Sequence, residues 1–182
     1  MFSDPKKNIE QANIALGAAV ADLGSGSGHY AKALSVVVGE KGRVYAVDIQ
    51  KDLLTKLKNE ATKDHLNNIE VIWGDVEKEE GTKLRGGSLD CALISNLLFQ
   101  LESKEALAKE VQRIVKPGGT LLIIDWSDSF GGLGPRSDAV FDKTKAGNLF
   151  STHGFLFERE IDTGKHHSVS YTHLTLPTNR EV

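Results

Sequence analysis

The chain has 182 residues, of which 40% are hydrophobic and 26% are charged. This length suits one globular domain, and the composition argues against a disordered or fibrous protein. The formal net charge of -3 at pH 7 disfavours non-specific binding to a phosphate backbone. Cys91 is the only cysteine, which excludes an intrachain disulfide and a four-cysteine zinc site.

The first residues and the lengths of the apolar runs indicate the expected cellular location of the protein. The first residues are polar, and no stretch approaches the roughly 20 apolar residues of a membrane-spanning helix. We therefore expect a cytoplasmic protein without a signal peptide or a membrane span. The sequence does not predict an oligomeric state.

Short β-branched runs alternate with amphipathic stretches along most of the chain. The run over 120–124 is almost continuously apolar, which is typical of a parallel strand covered on both faces. The alternation predicts an α/β fold, a single doubly wound, Rossmann-like domain with a mostly parallel sheet. Strands are predicted over 18–23, 43–47, 69–73, 89–94, 120–124 and 155–161, and helices over 29–38, 51–64, 102–116 and 138–153.

A glycine-rich loop, Gly24–Gly28, joins the first predicted strand to the first predicted helix. Ligands of open α/β sheets bind beyond the carboxyl ends of the strands, and glycine lets the backbone approach a ligand closely. Asp48 ends the second strand, where an acid accepts hydrogen bonds from the hydroxyls of a ribose. These features predict a nucleotide-type cofactor; the simpler alternative is a flexible turn beside a solvated carboxylate.

The charges around this loop distinguish between cofactors. The dinucleotide pattern G-x-G-x-x-G is broken, because the third glycine comes one position early and His29 takes its place. Asp22 lies two residues before the first glycine, where it would repel a pyrophosphate, and Asp75 adds an acid after the third strand. The acids favour S-adenosylmethionine, which is cationic and has no phosphate, over NAD.

Four sequence motifs, taken together and in their order along the chain, resemble those of the class I S-adenosylmethionine-dependent methyltransferases. The resemblance is greatest to the ubiquinone/menaquinone-biosynthesis-like subgroup of that family. The resemblance covers about residues 14–167. It implies transfer of a methyl group from S-adenosylmethionine to an acceptor by in-line displacement. The motifs are Ala21–Gly28, Val47–Ile49, Gly74–Val76 and the turn Lys116–Thr120 before the fifth strand.

The resemblance also implies which residues bind the cofactor. They lie in the glycine loop or at the carboxyl ends of strands, on one rim of the sheet. The implied residues are Asp22, Gly24, Ser25, Gly26 and Gly28 around the methionine part, Asp48 at the ribose, Ile49 on the adenine, Asp75 and Val76 at the adenine edge, and Ser95 and Asn96 at the methyl group.

No catalytic residue is assigned. A sulfonium methyl group is already activated, so positioning supplies much of the rate, and a base is needed only for an acceptor with a tightly held proton. Candidate bases are Asp125, His29, Tyr30, His166 and His167, although a structural or solvated role is the simpler explanation for each. His166 and His167 are adjacent and would point to opposite faces of a strand, so no metal site is predicted.

We expect the acceptor to be a small molecule. Nucleic-acid amino-methyltransferases of this class carry an Asn/Asp-Pro-Pro-aromatic turn after the fourth strand, whereas this chain has Ser95–Leu98 there, without either proline. Nucleic acid is therefore disfavoured as a partner. Two alternatives stay open, namely a nicotinamide-dependent oxidoreductase on the same fold and a non-catalytic cofactor-binding module.

The C-terminal part predicts a strand that returns from about His166 as an antiparallel hairpin at one sheet edge. The chain follows the family pattern to about His167 and then departs from it, and Pro177 cannot continue a central strand. We expect a methyltransferase domain over 1–167, with a lid formed by the N-terminal segment 1–17, mainly residues 2–12, and by residues 127–140. An atypical tail over 168–182 follows, poorly packed from about Leu176 and without cofactor contacts.

Overall fold

The computed structural model describes residues 4–129, 134–163 and 167–174. The helices are α1 Pro5–Glu10, α2 His29–Val38, α3 Lys51–Lys63, α4 Lys104–Ile114 and α5 Lys143–Ser151, with a 3₁₀ turn at Leu98–Gln100. The strands are β1 Ala19–Leu23, β2 Arg43–Asp48, β3 Ile69–Trp73, β4 Leu89–Ser95, β5 Val115–Trp126, β6 Phe155–Glu160 and β7 His167–Leu174. No helix in the described ranges is both long enough and apolar enough to cross a membrane.

The described strands form one sheet in the order β3-β2-β1-β4-β5-β7-β6. Strands β1 to β5 are parallel, and β7 lies antiparallel between β5 and β6. One face packs against α4 and α5 through residues such as Val111 and Phe150. The other face packs against α1, α2 and α3 through Ile9, Leu34 and Leu57. The predicted doubly wound fold with a C-terminal antiparallel hairpin is confirmed.

The chain reverses its strand order between β1 and β4, which pair directly with each other. Neighbouring connections leave the sheet in opposite directions at such a point, so a crevice opens beyond the carboxyl ends of the strands. The glycine loop follows β1, and Ser95 ends β4. The topology therefore places the predicted site at this crevice.

Helices α4 and α5 are shorter than predicted because side chains cap them. Ser103 accepts a hydrogen bond from the Ala106 N–H at the start of α4, and Asp142 accepts one from the Lys145 N–H at the start of α5. These caps move both helix starts inward from the predicted residues 102 and 138. Hydrophobic periodicity continues beyond a helix end, whereas a cap marks the end itself.

The predicted turn before the fifth strand lies within β5. Val115 pairs with Leu89 and Thr120 with Cys91, so residues 116–119 form an irregularity opposite Asp90. Gly118 has a φ of +77°, a conformation that glycine adopts without strain. The segment therefore bends within the strand, and α4 ends at Ile114 instead of continuing to the predicted residue 116.

Helix α1 has no counterpart among the predicted elements. Asp4 caps it by accepting from the Lys6 and Lys7 N–H groups, and Pro5 occupies its first turn. Ile9 is fully buried in the core cluster that includes α2. This part of the predicted lid is thus packed into the core.

Strand β7 crosses the predicted domain boundary at residue 167. It pairs with β5 from Trp126↔His167 to Thr120↔His173, so the sheet includes the beginning of the predicted tail. The poor packing expected from about Leu176 lies outside the described residues, as does the candidate base His166.

Candidate functional site

Two cavities open at the carboxyl ends of the central strands and meet at the glycine loop. Cavity A has a volume of about 380 Å³ and cavity B about 260 Å³. Cavity A is lined by Pro5, Gly24, Ser25, Gly26, Ser27, His29, Tyr30, Ser95, Asn96, Gln100 and Trp126. Cavity B is lined by Gly24, Gly26, Asp48, Ile49, Gln50, Gly74, Asp75, Val76, Glu77, Leu97, Gln100 and Leu101.

Gly24 allows the loop to pass between the two cavities. Its φ is +73°, and a Cβ atom at this position would lie 2.8 Å from a methyl carbon of Leu97. The backbone N–H groups of Gly24 and Ser25 both donate to the Val47 carbonyl, at 2.8 and 3.0 Å. A larger residue at position 24 would therefore be strained and would displace Leu97.

Asp48 fastens the loop to the end of β2. Its Oδ2 accepts from the Gly26 N–H at 2.8 Å, and its Oδ1 accepts from the Gln50 N–H at 2.8 Å. Each carboxylate oxygen has a second lone pair, and the side chain lines cavity B. Asp48 thus stabilises the loop and also has acceptor capacity for the hydroxyls of a ribose.

Asp22 is fully buried beneath the loop and lines neither cavity. Within the described part of the chain, neither of its carboxylate oxygens has a hydrogen-bond partner. Desolvation by burial is the main cause that raises its pKa to about 7. The Ala31 backbone amide opposes this rise in the pKa of Asp22 only in part, and the charge of Asp48 adds to the rise. A buried, unpartnered acid of this kind is typical of functional sites.

Cavity A contains two further buried oxygens without partners in the described structure, Ser25 Oγ and Asn96 Oδ1. Asn96 has a φ of +49°, an uncommon conformation held by its N–H, which donates to the Ile124 carbonyl at 2.9 Å. These oxygens suit a ligand that donates hydrogen bonds.

The outer end of cavity B presents an apolar surface beside an acid. Ile49 is 60% exposed, and its carbonyl accepts from Trp73 Nε1 at 3.0 Å. Val76 is buried, and Asp75 Oδ1 accepts from the Glu77 N–H at 3.0 Å. Ile49 thus offers a surface for a planar ring, and Asp75 keeps a carboxylate oxygen for a donor at the ring edge.

Gly28 differs from the other predicted loop residues because it lines neither cavity. A Cβ atom there would lie 2.2 Å from Leu57 Cδ1, and its φ is +79°. The structure explains this glycine by the close packing of α2 against α3. Ser95, by contrast, lines cavity A together with Asn96.

The candidate bases have different surroundings. Asp125 Oδ2 accepts from the Leu98 N–H at 2.9 Å and its Oδ1 from the Trp126 N–H at 2.8 Å, so it joins the 3₁₀ turn to β5. Burial raises the pKa of Asp125 to about 6, although these amides and the Lys104 charge oppose the shift. Asp125 lines neither cavity, whereas His29 lines cavity A. The described residues contain no group of three metal-ligating side chains.

Six lining residues were not predicted: Gln50, Glu77, Leu97, Gln100, Leu101 and Trp126. Trp126 follows Asp125 at the end of β5, so its position on the rim could have been inferred from the strand order. Leu97 and Gln100 belong to the region of the 3₁₀ turn, which no capping or periodicity signal in the sequence marks.

Comparisons with known proteins add independent information. The family described as "Methyltransferase domain" matches residues 15–154. The ubiquinone/menaquinone biosynthesis C-methyltransferase of Hahella chejuensis is 31% identical over 121 residues, 65% of this chain and 47% of that protein. Its counterpart in Haemophilus ducreyi is 31% identical over 123 residues, 65% of this chain and 45% of that protein. The chain thus spans about half the length of these curated relatives.

Solved structures agree with this result. A SAM-dependent methyltransferase from Aquifex aeolicus has a TM-score of 0.86 and 28% identity, covering 96% of this chain and 91% of that one. The [4+2]-cyclase SpnF has a TM-score of 0.79 at 13% identity, covering 95% of this chain and 80% of that one. At such low identity the second likeness indicates the fold alone, and the fold does not determine the reaction.

Proposed function

Because the chain belongs to the class I S-adenosylmethionine-dependent methyltransferases, we propose that it transfers the methyl group of this cofactor to a small-molecule acceptor. The observation that carries the proposal is the set of buried, unpartnered oxygens of Asp22, Ser25 and Asn96 beside the glycine loop. Buried acceptors without partners are costly unless a ligand satisfies them. An ammonium donor would satisfy the Ser25 and Asn96 oxygens, and its positive charge would be attracted by the ionised form of the buried Asp22.

Cavity B would hold the adenosine part. Asp48 has acceptor capacity for the ribose hydroxyls. Its hydrogen bond from the Gly26 N–H would hold the glycine loop in place while the ribose is bound. Ile49 would pack on the adenine, with Asp75 and Val76 at its edge. Because the carboxylate of Asp48 is bound by two backbone amides, it is oriented before the ligand arrives.

Cavity A would hold the methionine part and the acceptor. S-adenosylmethionine supplies a methyl carbon bonded to a positively charged sulfur, which is a good leaving group. Asn96 and Ser25 would accept from the ammonium group and so orient the methyl group within the cavity. The walls formed by Tyr30 and Trp126 would align the acceptor, and such alignment supplies much of the rate of a group transfer.

The lining of cavity A favours an uncharged acceptor. Its described lining residues include no Asp, Glu, Lys or Arg, so a charged acceptor would lose its hydration without gaining a counter-charge. The aromatic side chains Tyr30 and Trp126 suit a planar, partly apolar molecule. The curated relatives are named as C-methyltransferases, which supports carbon as the accepting atom. His29 carries the imidazole of the cavity A lining and would act as the base, should the acceptor need to lose a proton.

Calorimetric titration tests the cofactor, with S-adenosylmethionine, its demethylated product and NAD as ligands. We expect the first two to bind at micromolar concentrations and NAD to give no heat. Binding of NAD without binding of S-adenosylmethionine would favour the nicotinamide-dependent oxidoreductase.

Mass spectrometry of a metabolite pool incubated with protein and cofactor then tests turnover, and a gain of one methyl group on an acceptor is expected. Cofactor binding without any methylated product would favour the non-catalytic module.

A further inference from the structure

Residues 96–100 form a wall shared by the two cavities, and we call this segment the partition. Asn96 lines cavity A, Leu97 lines cavity B, and Gln100 lines both. The side chain of Leu97 lies against Gly24, where the glycine loop passes between the cavities. A shift of the partition would therefore change the position of one cavity relative to the other.

Hydrogen bonds hold the partition, and the most deeply buried of them ends on Asp125. The Leu98 N–H donates to Asp125 Oδ2 at 2.9 Å, and the two residues are 0% and 4% exposed. The Asn96 N–H donates to the Ile124 carbonyl at 2.9 Å, and Gln100 Nε2 donates to the Asn96 carbonyl at 2.7 Å. Asp125 thus supplies the contact by which a side chain of β5 fixes the 3₁₀ turn.

Fold stability does not account for an acid at this position. Burial raises the pKa of Asp125 to about 6, against the opposing effects of three backbone amides and the Lys104 charge. Ionisation of the carboxyl therefore reduces the stability of the folded chain, even with the hydrogen bonds that it accepts. Buried acids of this kind are typical of functional sites. Because Asp125 lines neither cavity, its effect on the site passes through the residues whose amides it binds, Leu98 and Trp126.

We propose that Asp125 is a positioning residue that holds the partition and thereby keeps cavities A and B in the relative position that a ligand spanning both of them requires. This inference rests on the proposed function, in which the adenosine lies in cavity B and the methionine part in cavity A. Two linked halves of a ligand bind more tightly than one half alone only when their sites are held in matching geometry. Asp125 therefore acts on ligands that span both cavities and not on a ligand confined to cavity B.

Adenosine and the demethylated product of the cofactor separate these two cases. Adenosine has the base and the ribose and is confined to cavity B, whereas the product also has the amino-acid part that reaches cavity A. The ratio of the two affinities measures what cavity A adds to binding. This ratio is independent of the folded fraction of a variant, because both ligands bind the same folded protein. A purely structural role of Asp125 would leave the ratio unchanged.

Asp90 provides a matched control at the opposite end of the sheet. Its Oδ2 accepts from the Ala19 N–H at 2.8 Å, and its Oδ1 accepts from Lys116 Nζ at 2.7 Å. Asp90 lies in β4, and it lines neither cavity A nor cavity B. The Asp90→Ala variant therefore removes a carboxylate that binds a backbone amide of another strand, without touching the partition.

The test is calorimetric titration of the unmodified protein and its Asp125→Ala, Asp125→Asn and Asp90→Ala variants at about pH 8, where Asp125 is ionised. Weak binding of adenosine is measured by its displacement of the product. For Asp125→Ala we expect affinity for the product to fall about five- to twentyfold more than affinity for adenosine. Asp125→Asn should give an intermediate ratio, because its single oxygen replaces only one of the two carboxylate oxygens that accept N–H groups. Asp90→Ala should leave the ratio unchanged.

An unchanged ratio in the Asp125 variants, or the same change of ratio in Asp90→Ala, would overturn the inference. If Asp125→Ala does not fold, Asp125→Asn decides, since a lowered ratio supports the inference and an unchanged ratio overturns it. If the unmodified protein prefers the product to adenosine but the ratio does not respond to Asp125, only this inference fails. If the unmodified protein binds neither ligand, the proposed function fails with it.

Discussion

Cavities A and B share the glycine loop but differ in charge. Asp48, Asp75 and Glu77 line cavity B, whereas hydroxyl, amide, imidazole and aromatic side chains line cavity A. An adenosine presents hydroxyl and amino donors, which carboxylates recognise well. A carboxylate exposed beside an electrophilic methyl group would itself be a nucleophile. The difference suggests that acids serve recognition where no chemistry occurs, and that neutral groups surround the reacting atoms.

Asp22 connects the two regions electrostatically. It lies outside both linings, yet the charge of Asp48 helps to raise its pKa. Its own charge therefore acts through the protein interior, where screening by solvent is weak. Cavity A thus combines a neutral surface with a buried acid whose pKa is raised to about 7.

The largest effect is expected for Asp48→Ala, which removes the acid that also fastens the loop. Affinity for S-adenosylmethionine should fall by about 2–4 kcal/mol, because hydrogen bonds to a charged acceptor contribute about 1.5–3 kcal/mol each. Calorimetry measures this loss. Affinity for the demethylated product should fall by as much, because the product carries the same ribose. The control is Asp128→Ala, since the exposed Asp128 lies outside both cavities and should change affinity by less than ~0.5 kcal/mol. Unchanged affinity in Asp48→Ala would exclude it as the ribose ligand.

Asp22→Asn should weaken binding of cofactor and product alike by about 1–2 kcal/mol where Asp22 is ionised, the order of a charge–charge interaction at an effective dielectric constant of about 20. The pH dependence has a defined sign. Because the pKa of Asp22 is raised from 3.8 to about 7 on folding, its ionisation reduces the stability of the ligand-free protein as pH rises through this range. Affinity of the unmodified protein for the cofactor should rise as pH rises through about 7, where the carboxyl of the folded protein acquires its negative charge.

Asp22→Asn should accordingly melt at a higher temperature than the unmodified protein at pH 8, by an amount worth about 1 kcal/mol or more. Melting curves and calorimetry from about pH 5 to about pH 8 measure both effects. Asp125 also has a raised pKa, of about 6, so the unmodified protein and the Asp22→Asn variant share its contribution and their difference isolates Asp22. A variant that is less stable at pH 8 and binds as tightly would contradict the role of a buried charge.

A smaller effect is expected for Asp75→Ala. Its Oδ1 is already engaged by the Glu77 N–H and the side chain is only partly buried, so the loss should be about 0.5–1.5 kcal/mol. The same titration with a hypoxanthine analogue, which lacks the adenine amino donor, provides the control. If Asp75 accepts a hydrogen bond from that amino group, the Asp75→Ala substitution should not affect binding of the analogue. Equal losses with both ligands would assign Asp75 a structural role instead.

The sequence predicted the family, the fold and the cofactor class, and these predictions are confirmed. They depend on local information, because periodicity marks strands and helices and parallel strands end on one rim. The observed bounds of α2 and β3 match the predicted ones for this reason. The roles of Asp48, Asp75 and Asn96 stay predictions, although the structure brings all three to the two cavities.

The sequence by itself thus determined the order of the parallel strands and that Gly24, Gly26, Asp48 and Asp75 reach the rim. Only the tertiary structure decided that Gly28 admits Leu57, that Asp125 joins the 3₁₀ turn to β5, and that Asn8 reaches Tyr30. Each of these contacts joins residues far apart in the chain. Neither local propensity nor periodicity encodes such pairs, because they form only when packed elements bring distant side chains together.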